Sequence, residues 1–308
     1  MTIQQLEYIL AVDQFRHFAR AAEYCRVTQP TLSAMIQKLE DELGIKLFDR
    51  TVQPVCPTPI GQKVIDQARI ILQQAAQVKE IISEEKQSLS GVFRLGVLPT
   101  IAPYLLPRFF PQFMEKYTTL DIRVTEMKTQ DIQQALHAGE LDAGIIASKL
   151  EDSFLIEETL FYEQFYAYVS RKESSFKHDI IRTSDITGER LWLLDEGHCF
   201  RDQLVRFCQM EAVKVSQMAY RLGSMETFMR MVESGKGITF IPELAVKQLT
   251  EEQRKLVRPF AIPRPTRQVV MATHKDFVRH SLLNVLKEEI KAAVPQEMLT
   301  LQPIQCLL

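Results

Sequence analysis

Val27-Thr-Gln-Pro-Thr-Leu-Ser-Ala-Met-Ile-Gln-Lys-Leu-Glu-Asp-Glu-Leu-Gly-Ile-Lys-Leu-Phe-Asp-Arg50 is a turn followed by an amphipathic helix. Thr28 is placed to cap that helix, and Pro30 fits its opening turn, where a missing N–H costs little. Leu32, Met35, Ile36, Leu39 and Leu43 recur at three- and four-residue steps and mark its buried side. Working back, Phe18, Ala19, Ala21, Ala22 and Tyr24 mark a preceding helix, and Leu6, Ile9, Leu10 and Phe15 mark a first one. Residues 2–58 therefore read as three helices and a short hairpin, with Gln29, Thr31, Ser33 and Gln37 presented at the start and along the outer side of the third helix. In a helix-turn-helix those N-terminal residues meet base edges in the major groove. A generic three-helix packing unit is the alternative.

From Thr58 to about Ser88, Ile60, Val64, Ala68, Ile71, Leu72, Ala75, Val78 and Ile82 form an apolar seam on an otherwise polar helix. Its length suggests a pairing helix, with a packed core helix as the other reading. After Gly91 the pattern alternates: strand Val92 to Leu98, helix Tyr104 to Tyr117, strand Leu120 to Met127, helix Asp131 to Ala138, strand Leu141 to Ala147. This predicts a parallel, doubly wound sheet. A strand near Phe161 to Ser170 is expected to cross to a second lobe, and Gln268 to Thr273 to return. Ligands of such sheets sit at the carboxyl ends of strands, and Thr100 and Thr129 each follow one.

The chain has 308 residues, 46% hydrophobic and 25% charged, enough for two ordinary domains with their own cores. Its net charge of -2 gives no global sign of a polyanionic partner, and residues 1–58 hold six Lys and Arg against seven Asp and Glu. A DNA-binding reading therefore rests on where individual basic residues point. The start has no basic segment followed by an apolar run, and no uncharged apolar stretch is long enough to span a membrane, so a cytoplasmic location is expected. No close Cys/His cluster suggests a metal, no Gly-x-Ser-x-Gly a hydrolase and no Gly-rich loop a phosphate cofactor.

Two of the five cysteines stand apart, in Asp195-Glu-Gly-His-Cys-Phe-Arg-Asp-Gln-Leu-Val-Arg-Phe-Cys208. Phe200, Leu204, Val205 and Phe207 recur at helical spacing, which puts Cys199 in the first turn of a short helix and Cys208 near its end. Nine residues of helix rise about 13.5 Å and turn through about 900°, leaving the two sulfurs on opposite faces. A disulfide needs Cα atoms within about 7 Å. Joining these two would therefore require the helix to unwind, and oxidation would be a conformational event. The helix dipole, His198 and Arg201 favour a Cys199 thiolate, while Glu196 and Asp202 oppose it. Inert packing is the bland alternative. It is the reading given to Cys25 in an apolar helical pattern, Cys56 between prolines, and Cys306 in a tail expected to fray.

Phe18-Ala-Arg-Ala-Ala-Glu, the stretch from Val27 to Arg50 and Thr58-Pro-Ile-Gly61 together resemble the winged helix-turn-helix of LysR-type transcriptional regulators, over about sixty residues without a gap. The resemblance implies base contacts at Gln29, Thr31 and Ser33 and phosphate contacts at Lys38 and Arg50 on promoter DNA. It also implies an α/β chain of three parts: a winged helix-turn-helix over 1–58, a linker and dimerisation helix over 59–90, and a two-lobed effector domain like a periplasmic binding protein over 91–301. Lobe I takes 91–162 and 268–301, lobe II 163–267, and 302–308 is left as a tail.

Within that family, Gly197-His-Cys-Phe-Arg-Asp-Gln with a second cysteine at 208, together with Leu98-Pro-Thr100 and Thr129-Gln, resembles the peroxide-sensing members over the whole chain. This implies that Cys199 attacks hydrogen peroxide, that Thr100, Thr129, Gly197 and His198 surround it with Asp202 and Arg267 contributing, and that Cys208 then closes a disulfide. A homodimer or homotetramer, RNA polymerase, and a thiol reductant such as glutaredoxin or thioredoxin are the implied partners, with no cofactor and no membrane. The competing readings are a family member that answers to a small organic anion in the interlobe cleft, and a thiol peroxidase.

Overall fold

A computed structural model describes residues 1–85, 89–147, 149–186, 191–194, 203–204, 207–208 and 224–308. The chain divides into two compact units, Met1–Lys86 and Gln87–Leu308.

The first unit is built from α1 (Ile3–Phe15), α2 (Phe18–Tyr24), α3 (Gln29–Leu43), a hairpin of β1 (Phe48–Asp49) and β2 (Cys56–Pro57), and α4 (Pro59–Glu85). The ends of α1 and α3 follow from sequence. Thr2 and Gln5 form a reciprocal capping box on α1, and Thr28 accepts from Thr31 N–H at the start of α3, whose last turn is stopped by left-handed Gly44. Leu6, Ile9, Val12, Ala21, Ala22, Leu32, Ile36 and Leu39 fill the core. Two positions read from the sequence as buried are exposed: Ala19, and Tyr24 at 64%. The helix that carries them has seven residues, too few turns for an apolar pattern to fix its facing. Leu43, in the final turn of α3, is also exposed.

The first turns of α4 belong to this core through Ile65 and Ala68. Gly61 permits their approach, since a Cβ there would lie 2.0 Å from the Leu47 carbonyl oxygen. Farther along, Val78, Ile81 and Ile82 are exposed.

In the second unit β3 (Gly91–Val97) pairs in parallel with β4 (Leu120–Glu126) and β5 (Ala143–Ile146), joined through α5 (Ala102–Lys116) and α6 (Thr129–His137). The expected parallel alternation holds for these three strands. Beyond them the sheet is mixed: β9 (Arg264–His274) runs antiparallel to β5, and β6 (Leu155–Val169) antiparallel to β9, from Leu155 opposite His274 to Gln164 opposite Thr266. A strand leaving a lobe and a strand returning to it travel in opposite directions, which is why the doubly wound expectation fails here. At its far end β6 pairs with β7 (Ile238–Pro242) and β8 (Val257–Pro259). Helices α7 (Met225–Ser234), α8 (Glu243–Val246), α9 (Glu251–Arg254) and α10 (His280–Ala293) also belong to the unit. Gly144 lets α6 sit close against β5, because a Cβ there would meet Ile132 Cγ2 at 2.4 Å.

The final residues do not fray. Gln305–Leu307 form β10, parallel to Arg264–Thr266 of β9, and Leu308 N–H donates to the Thr266 carbonyl. Among the described residues no helix is long and apolar enough to cross a membrane.

Candidate functional site

At the head of α3, Gln29 and Thr31 are exposed and Ser33 is half-buried. The Thr31 hydroxyl lies 2.8 Å from that of Thr28, so it shares the capping of the helix. Arg50, on the hairpin, donates through Nη1 to Ser33 Oγ at 3.3 Å and through Nη2 to Glu40 Oε2 at 3.3 Å, with its guanidinium 4.9 Å from the centre of the Phe18 ring. Lys38 is exposed. The sequence reading did not single out Glu40, which organises this face. It is 1% exposed, and its Oε1 accepts from the backbone N–H groups of Leu47 at 2.8 Å and Phe48 at 3.4 Å. One buried carboxylate thus ties the recognition helix to the hairpin. Its signal was an acid directly after Leu39, on the edge of the apolar stripe.

A second constellation lies at the carboxyl ends of the parallel strands. Thr100 follows β3, Thr129 opens α6 just after β4, and Ala147 follows β5. Met127 N–H donates to the Val97 carbonyl at 3.1 Å, which holds the two threonine-bearing ends side by side. Arg267, wholly buried on β9, reaches Thr100 twice, by Nη1 to the hydroxyl and by Nη2 to the carbonyl, both at 3.0 Å. Its Nε and Nη2 also donate to Glu163 Oε2 at 2.9 and 2.7 Å, and Glu163 Oε1 accepts from Leu244 N–H at 3.0 Å. The Glu163–Arg267 pair is therefore neutralised and hydrogen-bonded, which a buried ion pair requires.

Glu163 was not foreseen. Its signal lay in the alternation Phe161, Glu163, Phe165, which places an acid on a buried strand face and so demands a cation.

Among the described residues two buried oxygens in this region lack a hydrogen-bond partner: Thr129 Oγ1 and Gln203 Oε1. Gln203 Nε2 donates to the Ala147 carbonyl at 2.6 Å, so the side chain is anchored at the end of β5. Unpaired buried acceptors are costly, and their grouping at strand ends suits a small polar ligand.

Gly197, His198, Cys199 and Asp202 lie outside the described residues. Gln203, Leu204 and Phe207 are helical, and Cys208 N–H donates to the Leu204 carbonyl at 2.9 Å, in line with a helix reaching Cys208. Cys208 is buried, and desolvation pushes its thiol up to about 12. Cys56 is exposed, while Cys25 and Cys306 are half-buried. Among the described residues no group of three or more His, Cys, Asp or Glu could hold a metal ion.

Residues 3–62 match the bacterial regulatory helix-turn-helix protein model of the lysR family, and residues 86–295 match the LysR substrate binding domain. The chain belongs to the lysR family of bacterial regulators. It is 37% identical over 271 residues, 88% of each chain, to the hydrogen peroxide-inducible genes activator of Dickeya chrysanthemi. Among solved structures it is similar to OxyR from Porphyromonas gingivalis, with 53% identity and a TM-score of 0.67, covering 71% of this chain and 99% of that one. It is also similar to a full-length OxyR variant from Pseudomonas aeruginosa, with 34% identity and a TM-score of 0.76, covering 94% and 98%.

Proposed function

We propose that this chain is a DNA-binding transcription regulator, mainly an activator, that senses hydrogen peroxide through Cys199 and Cys208. The observation that carries the reading is the Thr100–Arg267 contact beside the unpartnered oxygens of Thr129 and Gln203. Because Arg267 Nη1 occupies a lone pair of Thr100 Oγ1, the threonine proton stays available to a ligand oxygen. Thr129 Oγ1 and Gln203 Oε1 add polar atoms that peroxide O–H groups could meet.

The chemistry balances without a cofactor. A Cys199 thiolate attacks one peroxide oxygen, the O–O bond breaks, hydroxide leaves, and the sulfur becomes a sulfenic acid. Cys208 sulfur then displaces that oxygen as water, and the S–S bond forms. Gly197, His198 and Asp202 belong to the same segment and would shape the attacking thiolate. Cys208 is buried and held protonated, so it acts only after its turn has opened; that opening couples the thiol chemistry to subunit arrangement.

The exposed Val78, Ile81 and Ile82 of α4 would pair two chains, and a homodimer or homotetramer would set two reading heads, each led by Gln29, Thr31 and Ser33, on two half-sites. Lys38 and Arg50 would hold phosphates. A cytoplasmic site of action, contact with RNA polymerase, and reduction by glutaredoxin or thioredoxin complete the proposal. The protein turns over no substrate of its own in this reading.

Mass spectrometry of the reduced chain after brief exposure to peroxide tests it. A Cys199–Cys208 disulfide is expected, lost in Cys199→Ser and replaced by Cys199 sulfenic acid in Cys208→Ser. An unaltered transcriptional response in Cys199→Ser would favour the organic-anion reading instead, and rapid multiple turnovers with a thiol reductant would favour the peroxidase.

A further inference from the structure

We propose that the second unit carries a separate anion site, built by Arg182 and Arg264, that takes a small organic carboxylate. These residues line a cavity of about 450 Å³ with Ile180, Asp185, Phe260, Ala261 and Ile262. That is a size suited to a small molecule. The cavity is formed where the 178–185 segment runs parallel beside residues 259–261, fixed by Ile181 N–H to the Pro259 carbonyl at 2.9 Å and Ala261 N–H to the Ile181 carbonyl at 2.8 Å.

Charge singles the cavity out. Elsewhere in this unit Arg94, Arg123, Arg171, Arg230 and Arg267 face carboxylates, and Arg108, Arg258 and Arg279 donate to backbone carbonyls. At the cavity neither arginine is neutralised by a described residue. Arg264 Nε is buried without an acceptor, and its Nη1 has only a long contact of 3.4 Å to Gln164 Oε1. Asp185, the one acid among the described lining residues, accepts through Oδ2 from Arg182 N–H at 2.8 Å and lies 3.5 Å from His178 Nδ1, so it offsets His178 and leaves the two guanidinium groups without a carboxylate. Among the described lining residues two guanidinium groups stand against one carboxylate, which leaves the cavity net positive and open to a charge-assisted contact with an anion.

The walls decide the ligand class. Phe260 is buried at the floor, while Ile180 and Ile262 stand 51% and 65% exposed at the rim. Exposed isoleucines gain from covering an apolar group, which inorganic anions lack, so a carboxylate carrying a hydrocarbon or aromatic portion fits best. The site is distinct from the Thr100 constellation. Arg264 and Arg267 are three residues apart on one extended strand, so their side chains leave opposite faces of the sheet. The Phe260 ring also meets Phe207 edge-on with centroids 5.6 Å apart, which puts an occupant one ring away from Cys208.

Calorimetry of the full reduced chain with sodium benzoate, and separately with inorganic phosphate, tests the assignment. Saturable one-to-one benzoate binding with Kd below about 1 mM is expected. It should weaken about tenfold in Arg182→Gln and in Arg264→Gln, with phosphate binding weaker than benzoate. Arg182 is exposed, and Ile262→Asp adds a repelling charge at an exposed rim position, so these two variants decide the matter if Arg264→Gln fails to fold. Absence of saturable benzoate binding, benzoate affinity unchanged in Arg182→Gln and Ile262→Asp, or phosphate bound as tightly as benzoate would each overturn the proposal. The readout is binding, and a failure of the peroxide reading leaves it untouched.

Discussion

Arg267 holds Thr100 at two points, its hydroxyl and its carbonyl, both at 3.0 Å, while Glu163 on the facing strand holds Arg267. The hydroxyl is thereby made an acceptor toward the protein and a donor toward whatever occupies the strand ends. If that donor serves peroxide, Thr100→Val should slow sulfenic acid formation at Cys199 by about tenfold to a hundredfold, the scale of one lost preorganised donor. Stopped-flow or quenched mass spectrometry against peroxide concentration measures it. A rate equal to the parent's would remove Thr100 from the pocket.

The same contact predicts a stability asymmetry. Arg267→Ala leaves Glu163 charged, buried and unpaired, and should cost about 3–5 kcal/mol. Replacing both members by apolar residues, as in Glu163→Leu with Arg267→Met, should cost markedly less, since no stranded charge remains. Urea unfolding of the two variants checks this. A double variant less stable than the single would mean that the Leu244 contact, lost only when Glu163 is replaced, outweighs the buried charge.

In the first unit Glu40 accepts two backbone N–H groups and faces Arg50 and Lys46. Glu40→Ala should destabilise this unit by about 2–4 kcal/mol and lower affinity for specific and random DNA alike, because it frees the hairpin from α3. Lys38→Ala should leave stability unchanged and reduce the salt dependence of DNA binding by about one counterion. Gln29→Ala should instead reduce preference for the cognate site. Binding titrations at several salt concentrations separate the three.

Much of this was legible because capping and periodicity are local. Thr28 and Pro30 open α3 as read, and β3, β4 and β5 begin and end within a few residues of the alternation read from sequence, whereas β6 starts at Leu155, six residues before the strand expected there. What escaped depended on partners in other elements. The acids at 40 and 163 find their roles only through residues 47–50 and 267, and the antiparallel course of β6 against β9 joins segments about a hundred residues apart. Cys306 looked like part of a loose end because Gln305–Leu307 is too short to show a strand period, and only the open edge of Arg264–Thr266 gives it a partner.

Removing residues 305–308 therefore uncovers β9 next to Arg267. The truncated chain should exchange the amides of 264–267 faster and lose thermal stability, whereas a tail that merely frays would change neither. Hydrogen exchange mass spectrometry over that peptide decides.

Cys208 gives the pH prediction. Burial favours its neutral form, raising the folded pKa to about 12 while an unfolded thiol ionises near 8.5. Stability from keeping this thiol neutral is fully present below the unfolded value and is lost as pH rises toward the folded one, because the unfolded chain sheds its proton first. Cys208→Ala should flatten that alkaline decline. In the reduced, folded chain Cys208 should also alkylate about a thousandfold more slowly at pH 8 than a free thiol, and the rate should climb about tenfold per pH unit above that. Peroxide treatment of Cys208→Ser leaves no such thiol to follow, so the informative comparison is Cys199→Ser, where Cys208 should stay slow with or without peroxide. Fast alkylation of Cys208 at pH 8 in Cys199→Ser would show that its turn opens without Cys199 chemistry, and the coupling of oxidation to unwinding would fail.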